Sequence, residues 1–257
     1  MRSIIITSPH AQSTIHDAHL RDRIALDDYW IWKCSDPFTG DLEYFPCAEK
    51  THISDTHRLV CDMNRSPDEM AFHETDFFGK SVFKEGAKYT PDEKQDFLKR
   101  FWWPFHNDVE KSVLELDQKD EKKIFIIDYH NTSGDHLLGP DQKFMPAMVI
   151  SNLYGTTFPQ NSLYQLKTEI EKRLPIPVVL NDIYHGGFDI QWFSQISERK
   201  KIQSNLYCIQ IEYNLDFIHN PLSHGVDLRA KKIMETALNE AIEVVYDSLP
   251  SAKEKMK

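Results

Sequence analysis

The stretch KIFIIDYHNTSGDH, residues 123–136, opens on four consecutive apolar residues, Ile124, Phe125, Ile126 and Ile127, and then turns polar at Asp128 and His130. A short apolar run rich in β-branched and aromatic residues reads as a strand buried on both faces, the kind found in parallel sheets. Three more runs have this form: SIIIT (residues 3–7), RLVCDM (58–63) and LYCIQIEY (206–213). AMVISNL (147–153) and IPVVLND (176–182) read as further strands.

Helical patterns lie between them. Residues 90–119 open with Thr90 as an N-cap, Pro91 at the first helical position and Glu93 three residues after the cap, a capping-box signature. Pro104 should kink or divide that helix. Residues 161–174 carry Leu163, Leu166, Ile170 and Leu174 at helical spacing. Residues 227–249 place Ile233, Ala237, Leu238, Ala241 and Val245 along one face. Strands alternating with helices predict an α/β layer fold with a largely parallel central sheet. Residues 36–57 and 66–90 read as long irregular loops, and SAKEKMK (251–257) as a frayed tail. No linker divides the chain, so residues 1–257 are expected to form a single domain.

The net charge of −10 disfavours a general nucleic-acid or anionic-membrane binder, since both need basic patches. No segment has the length of a transmembrane helix, and MRSIIITSPH is too short in its apolar part for a signal peptide. Cys34, Cys47, Cys61 and Cys208 are scattered without C-x-x-C spacing, which predicts free thiols in the cytoplasm rather than a cysteine zinc site.

The predicted strands end on one kind of chemistry. His10 follows the first; Asp62, Asn64 and Arg65 end the second; Asp128 and His130 end the third; Glu212 lies near the end of the fourth. Ligands of open α/β sheets bind outside the carboxyl ends of the strands. Two histidines with a carboxylate form a hydrolytic zinc set, a separate glutamate can move a water's proton, and an arginine can grip a substrate carboxylate. Each residue also has a plain reading. A lone histidine after a strand suits a loop, Glu212 suits a solvent-facing position, Asp62 and Asn64 suit a turn, and Arg65 suits a surface ion pair.

Seven pieces taken in order, SPH (8–10), LDDYW (26–30), RLVCDMNRSP (58–67), WWPFH (102–106), IIDYHNTSG (126–134), NDIYHGGF (181–188) and IQIEYN (209–214), resemble the N-formylglutamate amidohydrolase family. The chain more distantly resembles aspartoacylase and the zinc carboxypeptidases. The resemblance implies a phosphorylase/hydrolase-like three-layer α/β/α fold, with a mixed, largely parallel sheet between helical layers, and a metal-dependent amidohydrolase, zinc being the expected metal, acting on a small N-acyl amino acid. It implies His10 and His130 as metal ligands, Glu212 as general acid/base, and Arg65 with Asn64 as the carboxylate-binding pair. The zinc carboxypeptidases have a glutamate three residues after the first histidine, where this chain has Ser13. The acid of LDDYW is the expected substitute, Asp28 in preference to Asp27. Asp62 could orient Arg65 or a ligating histidine from behind, and Asp128 is expected either to support a ligand from behind in the same way or to be a pocket acid. His106 and His185 are candidates for substrate contact, with a helix surface and a turn as their alternatives.

The pattern is departed from at Asn131, where relatives usually carry serine, and at Ala11 and Gln12, near which they carry glycine. Residues 35–57 match no part of it. Residues 131–134 are expected to form a loop lining the pocket. A metallo-carboxypeptidase, a deacylase for a larger conjugate, and a non-catalytic carboxylate-binding protein on the same fold are the rival expectations. Nothing in the sequence indicates the oligomeric state.

Overall fold

A computed structural model describes residues 2–119, 122–132, 146–220 and 225–252. Of the loop expected at 131–134, Asn131 and Thr132 instead continue a strand paired along its whole length, while residues 133–134, and residues 253–257 of the expected tail, lie outside the described residues. In chain order the main elements are β1 (Ile4–Ser8), α1 (Ala18–Arg23), α2 (Asp28–Lys33), β2 (Lys50–Ile53), α3 (Pro91–Phe97), α4 (Trp103–Asp117), β3 (Lys123–Thr132), β4 (Met148–Ser151), α5 (Gln160–Arg173), β5 (Val178–Leu180), α6 (Phe188–Ser194), α7 (Ile196–Lys200), β6 (Asn205–Asn214) and α8 (Leu228–Ser248).

Six strands form one sheet in the order β2-β1-β3-β6-β4-β5. The first four run parallel, and β4 meets β6 antiparallel, so the sheet is mixed and mostly parallel. Alternate residues of each strand face opposite layers. Ile4, Ile6, Phe125, Ile127, Ile209 and Ile211 pack in one core with Leu163, Leu166 and Ile170 of α5 and Leu238, Ala241 and Val245 of α8. Ile5, Ile124, Ile126 and Cys208 pack on the other face with Val109, Val113 and Leu116 of α4, Ile190 and Phe193 of α6, and Ile196 of α7. This three-layer α/β/α arrangement explains the unbroken apolar runs: the central strands have no solvent face to alternate with.

The capping box at Thr90 and Glu93 is formed. Pro104 divides the helix as expected, and a π-helical turn, Leu98–Trp102, absorbs the break with the Trp103 amide donating to the Leu98 carbonyl. Ile233 departs from the predicted inner face of α8 and is 53% exposed.

RLVCDM is not a strand. Its amides close turns, Val60 and Cys61 onto the His57 carbonyl, and Asp62 donates to Ala71. Leu59, Val60, Cys61 and Met63 are all buried in a third cluster with Ile24, Ile31, Phe72 and Trp102. The run is apolar because it is enclosed, which apolar content alone does not separate from a strand. The fourth parallel strand is instead β2, inside the region read as loop. Residues 66–90 are irregular as expected, apart from a 3₁₀ turn, Glu69–Ala71, and isolated bridges. The four cysteines are free and buried. No helix among the described residues is long and apolar enough to cross a membrane.

Candidate active site

The sheet face toward α4 and α6 changes character along its length. On β3 the inward series runs Ile126, Asp128, His130, and on β6 it runs Cys208, Gln210, Glu212, with Asp128 opposite Gln210 and His130 opposite Glu212. Thr7 of β1 stands opposite Asp128, and its Oγ1 donates to Asp128 Oδ1 at 2.8 Å. The apolar half anchors the layer, while the polar half opens into a cleft of about 500 Å³.

Two imidazoles meet there, with ring centres 5.0 Å apart. His130 Nε2 lies 2.8 Å from Asp128 Oδ2, and its Nδ1 lies 2.7 Å from Asp36 Oδ2. Burial would lower the basicity of His130, but the charges of Asp128 and Glu212 outweigh it and raise the pKa well above the usual histidine value. His10 Nε2 lies 2.7 Å from Asp62 Oδ1. Its Nδ1, 3.4 Å from the same Asp36 oxygen, is buried and makes no hydrogen bond. Burial alone would raise Asp36, yet His10 and His130 hold its carboxyl well below the carboxylate range.

This donor set fits a metal ion. His10, Asp36 and His130 each offer a ligand atom, all within 4.8 Å of one another. Each histidine is backed by a buried carboxylate on its rear nitrogen, Asp62 or Asp128, which fixes ring orientation and raises ligand basicity. The orphaned Nδ1 of His10 points to a missing electrophilic partner, because a buried unpaired polar atom ordinarily costs about 1–3 kcal/mol.

The predicted middle ligand must be corrected. Asp28 opens α2 with its side chain 93% exposed and paired with Arg21 at 2.9 Å. Asp27 is the N-cap of α2, accepting from the Trp30 amide. Helix capping explains both acids, and neither belongs to the cluster. The carboxylate that stands beside the two histidines is Asp36, brought there by a hydrogen bond from its own amide to the His10 carbonyl at 2.9 Å.

The model of the N-formylglutamate amidohydrolase family matches residues 2–219. The chain belongs to this family. Family membership supports a hydrolase acting on amide bonds. The fold is similar to that of N-formylglutamate amidohydrolase from Ralstonia eutropha, with a TM-score of 0.74 at 15% identity over 96% of this chain and 93% of that one. It is also similar to a gene product of Agrobacterium tumefaciens, with a TM-score of 0.65 at 16% identity over 95% and 92%. No curated protein matches the chain by sequence.

The other candidate residues of this N-formylglutamate amidohydrolase family member fall on and around the cleft. Glu212 lines it, and its Oε1 accepts from Gln210 Nε2 at 2.6 Å. Burial pushes the Glu212 carboxyl up to about 8. Arg65 also lines the cleft. Its Nη1 donates to the Asn64 carbonyl at 2.8 Å, and it has no carboxylate partner among the described residues. Asn64 reaches the cleft too, but its amide is occupied: Oδ1 accepts from the Asp189 amide at 2.9 Å, and Nδ2 lies 3.3 Å from His130 Nε2. Gly187 lies so close that a Cβ there would collide with Asn64. Gly186, at φ +119, takes the left-handed turn before it.

Asp62 sits behind His10 as well as beside Arg58, whose Nε and Nη2 donate to Oδ2 at 3.2 and 2.9 Å. His73 Nε2 and the Asn64 amide also hold it, at 2.6 and 2.9 Å. Burial raises the Asp62 carboxyl, but Arg58 and His10 prevail and keep it well below its ordinary value. His185 is exposed on the cleft wall, with Nδ1 2.8 Å from the Tyr154 hydroxyl.

His106 does not reach the cleft. It is buried in α4, stacked on Trp102 at 3.6 Å, and its Nδ1 donates to the Trp102 carbonyl at 2.9 Å. Its Nε2 lies 3.0 Å from Asp189 Oδ1. Burial pushes His106 down to about 3 and Asp189 well above its usual range, so a neutral carboxyl donates to a neutral imidazole.

Asp36, Arg58 and Gln210, which line the cleft, and His73, which holds Asp62, are residues that the sequence pattern missed. Arg58 and Gln210 left a trace, inside the pieces RLVCDMNRSP and IQIEYN.

Proposed function

We propose that this protein is a zinc amidohydrolase that removes the acyl group of an N-acyl amino acid, of the N-formylglutamate kind. The observation that carries it is the convergence of His10 Nδ1 and His130 Nδ1 on Asp36, with Glu212 in register beside His130. His10, Asp36 and His130 would hold the metal. When bound, such an ion polarises a carbonyl and lowers the pKa of a water.

The remaining work belongs to the chain. Glu212 Oε takes a proton from the attacking water and delivers it to the amide nitrogen as the C–N bond breaks, giving a free amine and the acyl acid. Burial raises the proton affinity of this carboxyl, which favours its holding a proton between the two transfers. Arg65 supports a bidentate grip on the amino acid's carboxylate, because among the described residues its charge is not spent on a protein acid. The cleft volume suits a small molecule. Residues from His10 to Glu212 meet in one cleft, which supports one catalytic unit spanning the chain.

Zinc-loaded enzyme should be assayed on formyl-, acetyl- and succinyl-amino acids beside short peptides. Release of the acyl acid supports the reading, and tight binding without turnover of any of them would leave a carboxylate-binding protein. Glu212→Gln should keep the metal and lose about 10²–10⁴ in kcat. Near-normal turnover in that variant would remove Glu212 from the mechanism.

A further inference from the structure

We infer that Asn131 is a positioning residue for Asp36, acting through the Pro37 backbone; this rests on the reading of Asp36 as a metal ligand. Asn131 follows His130 on β3 and stands opposite Tyr213 on β6. Its side chain is buried, and Nδ2 donates to the Pro37 carbonyl at 2.6 Å and to the Tyr213 hydroxyl at 3.1 Å.

The segment it holds needs holding. Phe38, next in the chain, adopts φ +71, a left-handed conformation that side-chain-bearing residues rarely take. The Asp36 amide donates to the His10 carbonyl at 2.9 Å. Thr39 Oγ1 lies 2.8 Å from the Asp36 carbonyl and 2.6 Å from Ser8 Oγ. Those contacts tie the loop to the β1 side, where His10 lies. Asn131 ties it to the β3 side, beside His130. Farther along, Lys231 of α8 donates to the Asp41 carbonyl at 2.6 Å. Lys231 is held by Glu235, which also accepts from the Tyr129 hydroxyl at 3.1 Å.

Besides the direct His130–Asp36 contact, Asn131 is thus a side-chain link from the strand carrying His130 to the backbone beside Asp36, two groups 94 residues apart in sequence. The geometry suits asparagine. Its amide has two protons for two acceptors, and it reaches one atom farther from the backbone than a serine hydroxyl, which offers one proton.

The test uses full-length protein with Co²⁺ and Zn²⁺ as probes. Cobalt affinity is measured by titration, zinc affinity by chelator competition, and site geometry by the visible spectrum of the cobalt form. Asn131→Ser should bind both metals on the order of 10–100-fold more weakly than wild type, with an altered cobalt spectrum. Wild-type affinity and spectrum would overturn the role. So would a lowered melting temperature with an unchanged cobalt spectrum, which marks a merely structural residue. Should Asn131→Ser fail to fold, Tyr213→Phe removes one partner of the Asn131 amide at nearly constant shape. It should weaken cobalt binding in the same direction, and unchanged binding would overturn the proposal. Wild-type protein that takes up neither metal would remove the metal centre itself and the positioning role with it, whereas a wild-type site with an unaffected Asn131→Ser would remove the positioning role alone.

Discussion

Replacing Asp62 by asparagine changes one atom and removes one charge at the most crowded carboxylate behind the cleft. Asp62 is fully buried and faces His10, Arg58, His73 and the Asn64 amide. Arg58 is itself buried, and among the described residues its other acidic contact is a longer one, to Asp36 at 3.8 Å. Breaking a buried ion pair by removing one partner costs about 3–5 kcal/mol. Asparagine retains an acceptor oxygen and Asp36 retains part of the charge, which points to the lower end, about 3 kcal/mol. At about 2 °C per kcal/mol for a chain of this size, the melting temperature should fall by about 6 °C at pH 7. The pH dependence has a definite sign. The folded-state pKa of Asp62 is depressed, so its contribution is present above the unfolded carboxylate pKa of about 3.9 and fades as pH falls toward the folded value. The deficit of Asp62→Asn should therefore be full at pH 6–7 and shrink below about pH 4. Thermal melts of metal-free protein across that range measure both. A deficit near zero at pH 7, or one that does not shrink in acid, would refute the reasoning.

Arg65→Ala should raise KM for N-acyl amino acids, with kcat/KM falling about 10–150-fold if a charge-assisted hydrogen-bonded contact of about 1.5–3 kcal/mol is lost. Esterifying the substrate's carboxylate should abolish the difference between the variant and wild type, and an undiminished difference would move Arg65 to another role. Asp189→Asn should be neutral or stabilising at pH 7. The raised folded pKa of Asp189 means that stability is lost as pH rises above the unfolded value, and an amide avoids that loss while still donating to His106. Melting curves at pH 7 and pH 4 check this, and a variant markedly less stable than wild type at pH 7 would show that Asp189 is ionised.

The parts of the fold legible in the sequence are those whose burial is complete or whose local chemistry is strong. β3 and β6 are covered on both faces and read as continuous apolar runs, and α3 announces itself through Thr90, Pro91 and Glu93. β2 does not, because it is a short edge strand, KTHI, whose exposure alternates and whose residues are mostly polar. RLVCDM misleads in the opposite sense, being apolar through enclosure by irregular chain. The placement of His10, His130 and Glu212 at the cleft is legible because each lies on, or two residues beyond, a strand. Asp36 was not, because its place depends on ties to the His10 carbonyl and, through Pro37, to Asn131, which no local pattern records. Asp28 lies in LDDYW, a stretch that matches the family pattern, and the structure gives it a surface ion pair.

Metal analysis of the wild type beside Asp36→Ala and Asp28→Ala tests the central claim most directly. After loading with zinc and gel filtration, about one ion per chain should stay with the wild type and with Asp28→Ala, and Asp36→Ala should lose it. Zinc retained by Asp36→Ala, or lost by Asp28→Ala, would contradict a centre built on His10, Asp36 and His130.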